Sequence, residues 1–332
     1  MRGVQRLSAF SLALLLFFLL SSAALHAQTK LREINTAYPL GGSTSFFWVA
    51  YRSGAFEKYG LKVKPIYIRG GVAAVQSLLA REVLIEMQGG STAISAWAQG
   101  AKELTYIGAV GNRLDYVLVG GPSVRKPEDL KGQSVGVSQI GASSDFVARY
   151  ALRRLGLNPE KDVTIVSAGG AGERFAAVSG GHLRATVLQP PFTLLARKAG
   201  FPILIDLSKQ DFEYIISGPL TTRSFIRSDR ETVMNFMRGL ADGMDFYRDE
   251  KNKDRVIKFL GEYYRSNAVD QLDETRRAYT QLTPGLPIIT PKSIENVIKN
   301  EKDLAGMTLK PEEILDLSFL QKLEEERKAR GR

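Results

Sequence analysis

Five short segments carry the residue types that hold small polar ligands. They are Tyr38-Pro39-Leu40-Gly41-Gly42-Ser43-Thr44-Ser45, Gln88-Gly89-Gly90-Ser91-Thr92, Gln139-Ile140-Gly141-Ala142-Ser143-Ser144, Ala168-Gly169-Gly170-Ala171-Gly172 and Gln189-Pro190-Pro191. The first four are rich in Gly, Ser or Thr, and each leads into an expected helix. The first turn of a helix leaves backbone N–H groups without partners, and the helix dipole adds positive potential there. Glycine lets a ligand approach the backbone, and Ser and Thr hydroxyls add adjustable donors, so together they form a neutral cradle for an anion. The same residue types also serve as plain N-caps, and for any one loop capping is the stronger reading. For several loops at the same edge of two facing sheets, a shared ligand site becomes the stronger one. The expected ligand contacts are Ser43, Thr44, Ser45, Gly90, Ser91, Thr92, Ser143, Ser144, Gly170 and Gln189. Tyr38 joins them because it ends a strand beside the first loop. Arg69 also ends a strand, before Gly70-Gly71; it could pair with an anion or lie exposed.

Residues for other chemistries are scarce. The chain has no cysteine, which excludes disulfides, thiolate metal sites and a cysteine nucleophile. His182 is the one histidine beyond the N-terminal leader described below, so neither a Ser–His–Asp arrangement with redundancy nor a metal cluster is expected. Gly170-Ala171-Gly172 follows a strand and precedes a helix, but Phe175 stands where a dinucleotide fingerprint wants Gly. No enzyme, cofactor or metal site is therefore expected. The net charge is +10, with Lys and Arg dispersed among Asp and Glu. A nucleic-acid surface would cluster them with stacking aromatics, so no nucleic-acid partner is expected. The charge suits either a generally basic surface or attraction of anions to a cleft.

The elements that would position these loops alternate. From Lys30 to Val110, short apolar strands and helices follow one another, as in Leu31–Tyr38, Ser45–Tyr59, Leu61–Ile68, Val72–Arg81, Val83–Met87, Thr92–Gln99 and Leu104–Val110. Such repeats predict a mostly parallel sheet with helices on both faces. Residues 112–119 break the rhythm and read as a crossover into a second α/β series, and 214–226 read as the return. The remainder is expected to be helical, from Arg230–Arg248 to Glu312–Lys328. The resulting division is residues 28–116 plus 219–332 for lobe 1, carrying the C-terminal helices, and 117–218 for lobe 2. Two crossover segments make a hinge about which two lobes close on a ligand, and pockets in open α/β sheets lie at the carboxyl ends of the strands. Ahead of this stands a basic start with Arg2 and Arg6, the apolar run Leu12–Leu20 and small residues up to Ala27. This pattern predicts a secretory signal peptide over residues 1–27.

Four further segments carry a family likeness. Gly54-Ala55-Phe56-Glu57-Lys58-Tyr59-Gly60-Leu61-Lys62-Val63, Lys126-Pro127-Glu128-Asp129-Leu130-Lys131-Gly132, Leu155-Gly156-Leu157-Asn158-Pro159-Glu160-Lys161-Asp162-Val163 and Val178-Ser179-Gly180-Gly181-His182-Leu183-Arg184-Ala185 occur in that order. The chain thereby resembles the nitrate/sulfonate/taurine-type substrate-binding family of ABC transporters, which includes relatives that bind thiamine-precursor pyrimidines. The resemblance implies an α/β type II periplasmic binding protein fold, two lobes joined by a two-strand hinge. It also implies that Thr44, Ser45, Ser91, Thr92, Ser143, Ser144 and Gln189 surround the cleft. By the same resemblance the chain would be a monomeric periplasmic receptor that takes a small organic anion, sulfonate- or carboxylate-like, and delivers it to an ABC membrane permease. The alternatives are a ligand sensor for a membrane receptor and a pyrimidine or heterocycle binder. Gln189-Pro190-Pro191 stands where sulfonate binders have an acidic or Trp-Asp-Pro element, and Arg184 replaces the usual acidic residue, so no particular ligand is carried over.

Overall fold

Leu61-Lys62-Val63-Lys64 shows how the pattern becomes structure. Leu61 and Val63 are buried while both lysines face solvent, as the two-residue period of a strand requires. The computed structural model describes residues 31–283, 285–301, 304 and 306–331. The expected signal peptide, residues 1–27, lies outside the described residues. Among those residues, no helix is long and apolar enough to cross a membrane.

The first series runs β1 (Arg32–Tyr38), α1 (Ser45–Ser53), β2 (Leu61–Tyr67), α2 (Gly71–Leu79), β3 (Ile85–Gln88), α3 (Gly90–Ala98) and β4 (Leu104–Tyr106). A crossing strand, β5 (Gly111–Arg113), leads to a second series. This comprises β6 (Val117–Gly120), β7 (Gln133–Val137), α4 (Ser143–Arg154), β8 (Val163–Ser167), α5 (Ala171–Ser179), β9 (Ala185–Leu188), α6 (Phe192–Lys198) and β10 (Ile203–Asp206). The long strand β11 (Glu213–Thr222) returns the chain. Helices follow: α7 (Arg223–Ser228), α8 (Arg230–Arg248), α9 (Lys253–Tyr264), α10 (Val269–Leu282), α11 (Pro291–Asn300) and α12 (Ser318–Ala329).

These strands build two sheets. One has the order β2-β1-β3-β11-β4 with β5 also on β11, and the other has the order β10-β6-β9-β7-β8. The expected mostly parallel sheets are in fact mixed. Strands that alternate with helices pair in parallel, β1 with β2 and β3, and β7 with β8 and β9. The crossing strands β11 and β6 run antiparallel to their neighbours, because each carries the chain back between the sheets. β5 and β11 lie side by side, with Gly111 opposite Ser217 and Arg113 opposite Glu213. The two connections thus form a paired, two-strand hinge.

Three expected elements differ. The helix expected over 45–59 stops at Ser53, because Gly54 takes a left-handed conformation at φ 81°. β4 ends at Tyr106 rather than at Val110. The last helix starts at Ser318 and not at Glu312, because Leu315 bridges to Tyr106 at the sheet edge. The C-terminal helices return to the six-stranded sheet: α8 packs on α1, α11 on β11 and α12 on α8.

Candidate functional site

The five loops follow the carboxyl ends of β1, β3, β7, β8 and β9. Both sheets aim these ends at one another and enclose a cavity of about 100 Å³. A water-sized group needs roughly 10–15 Å³ of such space, so the cavity has room for several non-hydrogen atoms. Of the residues expected from sequence, Ser43, Thr44, Thr92, Ser143, Ser144, Gly170 and Gln189 line it. Tyr38, Ser45, Gly90 and Ser91 do not. Tyr38 packs among the rings of Phe47, Trp48, Tyr67 and Tyr263. Ser45 is buried behind the first loop, and Gly90 lies against Ile215. The Ser91 hydroxyl sits 2.9 Å from the Tyr214 hydroxyl, one layer back from the cavity.

The hydroxyls at the cleft are not caps. Thr44, the N-cap of α1, makes no side-chain capping bond, and the N-cap positions of α3, α4 and α5 are Gly89, Ala142 and Gly170, which carry no hydroxyl. Two helices outside the cavity wall do have such caps: Thr222 accepts from Phe225 N in α7 and Asp229 accepts from Thr232 N in α8. Thr44 Oγ1 instead donates to Ser217 Oγ on the hinge strand at 3.0 Å. Ser144 Oγ accepts from Ser138 N at 2.8 Å and so braces its own loop.

The two halves meet around the cavity. Thr92 Oγ1 donates to Gly141 O at 3.4 Å, and Tyr279 OH donates to Pro190 O at 3.4 Å. Arg69 pairs with Glu173 across the rim at 3.7 Å, with both side chains exposed. Two glycines permit this approach. A Cβ on Gly89 would lie 2.1 Å from Ser143 Oγ, and one on Gly42 would lie 1.4 Å from Tyr279 OH.

Sequence reasoning missed two charged groups. Arg174, four residues after Gly170 on α5, lines the cavity and is only 4% exposed. Its Nε donates to Thr186 Oγ1 (3.2 Å), Nη1 to Gly169 O (2.7 Å) and Nη2 to Val187 O (3.2 Å). All three acceptors are neutral, and no carboxylate among the described residues pairs with it. Burial lowers its pKa, an effect that the nearby Glu173 carboxylate partly offsets, and a guanidinium stays charged, so a buried positive charge stands at the wall with no carboxylate in direct ion-pair contact among the described residues. Spacing could have found it: Gly170 and Arg174 share a helix face one turn apart.

The second is Asp115, between β5 and β6. It is 4% exposed, and its Oδ1 accepts from Gln189 Nε2 at 2.6 Å, while Oδ2 has no hydrogen-bond partner among the described residues. Burial pushes its carboxyl up to about 6, a rise that Gln189 and, behind it, the nearby Tyr279 hydroxyl partly offset. Gln88 is held differently. Its amide nitrogen is shared by Glu86 Oε1 (2.6 Å) and Gly71 O (2.9 Å), and its oxygen accepts from Gly89 N (2.8 Å). Both amide hydrogens are thus used within the protein, and the oxygen already accepts one bond. The burial of Glu86 raises its pKa well above the carboxylate range.

Comparison with known proteins places this geometry. The sequence profile of the NMT1-like family matches residues 36–261. A protein from Bordetella bronchiseptica RB50 superposes with a TM-score of 0.78, at 16% identity, over 90% of this chain and 98% of its own. The alkanesulfonate-binding protein SsuA from Xanthomonas axonopodis pv. citri, solved bound to MOPS, superposes with a TM-score of 0.71. It is 16% identical, over 87% of this chain and 100% of its own. At these identities the likeness shows the fold, that of the periplasmic binding proteins. YtlA of Bacillus subtilis (strain 168) is 22% identical over 218 residues, 62% of this chain, and the match spans 63% of that relative's length.

Proposed function

This chain belongs to the NMT1-like family, and from that premise we propose that it is the solute-binding receptor of an ABC importer. It takes a small organic anion, sulfonate- or carboxylate-like, into the cleft between its two sheets and hands it to a membrane permease. The two sheets act as two lobes, and closure about the β5–β11 hinge buries the ligand. The receptor works in the periplasm, as a monomer, once residues 1–27 are removed.

One observation carries the ligand charge: Arg174 is buried at the cavity wall with three neutral acceptors and, among the described residues, no carboxylate in direct contact. An isolated buried charge is costly, and an anion in the cavity supplies the missing partner. Hydrogen bonds to charged groups contribute roughly 1.5–3 kcal/mol each. The hydroxyls of Ser43 and Ser143 on the same wall are placed to add such bonds. Binding rather than turnover fits the same wall, since His182 lies exposed at a turn outside it.

A thermal-shift screen of the mature protein against small carboxylates and sulfonates, followed by calorimetry, tests this. Arg174→Gln should weaken anion binding at least tenfold, about 1.4 kcal/mol. A variant that binds the same anion as tightly as the parent would remove the assignment.

A further inference from the structure

Gln189, like Gln88, has its amide orientation set by a buried carboxyl group, but no hydrogen-bond donor among the described residues reaches its oxygen. Its Nε2 donates to Asp115 Oδ1 at 2.6 Å. The opposite orientation would set two oxygens against each other, because an ionised carboxylate only accepts. The Oε1 oxygen is therefore left on the cavity side, near Gly41, which also lines the cavity. It has no hydrogen-bond donor among the described residues, although Gln189 is only 7% exposed. Both oxygens of the pair are thus committed to acceptance, one to the Gln189 amide and one to whatever occupies the cleft. Arg174, on the same wall, is a pure donor. The cavity offers a donor pole and an acceptor pole within about 100 Å³.

We propose that Asp115 is a specificity-determining residue: it fixes the Gln189 carbonyl oxygen toward the cavity and so selects ligands that carry an N–H donor beside their anionic group. This rests on the anion reading of the cleft. Asp115 acts through Gln189 and does not line the cavity, so it is a positioning residue. An alkyl group of equal size would leave the buried carbonyl unpaired, a loss on the scale of one hydrogen bond.

The test uses matched probes of equal size at pH 7.5, where Asp115 is ionised. They are glycine against propanoate and 2-aminoethanesulfonate against propane-1-sulfonate. In each pair an ammonium, which only donates, replaces a methyl. Calorimetry on the parent should give at least tenfold tighter binding of the ammonium member in one pair or both. Asp115→Asn can donate its own amide to Gln189 Oε1 and turn Nε2 toward the cavity, so the preference should fall at least tenfold. Gln189→Met, which keeps the length and removes the acceptor, should abolish it even if the asparagine variant fails to fold. Methyl members bound as tightly as ammonium members by the parent would overturn the proposal, as would a preference unchanged in both variants. In either case the anion reading stands, because both members still bind. Binding of neither member in either pair overturns both.

Discussion

Two buried ionisable side chains stand at or behind the cleft wall, and they behave in opposite ways. Arg174 keeps its charge and donates only to neutral acceptors; Asp115 accepts from Gln189 and holds its proton more tightly than usual. The consequence for stability has a definite sign. An aspartate in the unfolded chain titrates near 3.9, while burial pushes Asp115 up to about 6. Between those values the folded protein keeps a proton that the unfolded chain has released. Its contribution to stability is complete below about pH 4 and is lost as pH rises through about 6. Two units correspond to roughly 3 kcal/mol. Unfolding of the parent and Asp115→Asn, compared from pH 4 to 7, should show the parent losing about that much relative to the variant. Parallel profiles would mean that Asp115 titrates normally.

At the scale of elements, the first loop depends on how closely two helices meet. α1 begins at Ser45, directly after Ser43 and Thr44, and packs against the middle of α8. The contact is made by glycines one turn apart. A Cβ on Gly243 would lie 2.2 Å from Ala50 Cβ and 2.5 Å from Ala50 Cα, and one on Gly239 would lie 2.5 Å from the Phe56 ring. Backbone stands in the way at Gly243, so rotamer changes give no relief. Overpacking of this kind costs about 1–3 kcal/mol, against at most about 1 kcal/mol gained in helix propensity. Gly243→Ala should therefore lower the urea midpoint of unfolding and displace Thr44 from Ser217, weakening ligand binding. An unchanged midpoint would show that the helices lie farther apart.

For the whole molecule, the contacts between Thr92 and Gly141, Arg69 and Glu173, and Tyr279 and Pro190 join the loops across the cavity, and on the proposed function they belong to the closed receptor. The exposed ion pair contributes little by itself, so closure must draw on the ligand as well as on these contacts. A Cβ placed on Gly70 would lie 4.0 Å from Gln139 Cβ across the cleft, within the range that a disulfide spans. The chain has no cysteine to compete. Gly70→Cys with Gln139→Cys should crosslink on oxidation despite the cost of a positive φ at position 70. The oxidised protein should exchange ligand at least tenfold more slowly than the reduced one. Equal exchange rates in both forms would separate ligand access from motion about the hinge.

How much of this was legible follows from what each feature rests on. The strand–helix rhythm, the crossovers and the strand-end glycine loops are local patterns of spacing, and the structure has them at nearly the expected positions. Where Gly54 ended a helix early, the glycine was visible, but its left-handed conformation depended on the packing beyond it. The sequence by itself determined the fold class and which loops sit at the strand ends, because backbone preference and hydrophobic period act over a few residues. Tertiary structure alone decided that Tyr38, Ser45, Gly90 and Ser91 stand behind the wall while Arg174 stands in it, and that Asp115 orients Gln189. An arginine or an aspartate is an ordinary surface residue in a sequence. Only burial between two distant segments makes its charge costly, and that cost is the ground on which roles in binding are proposed for both.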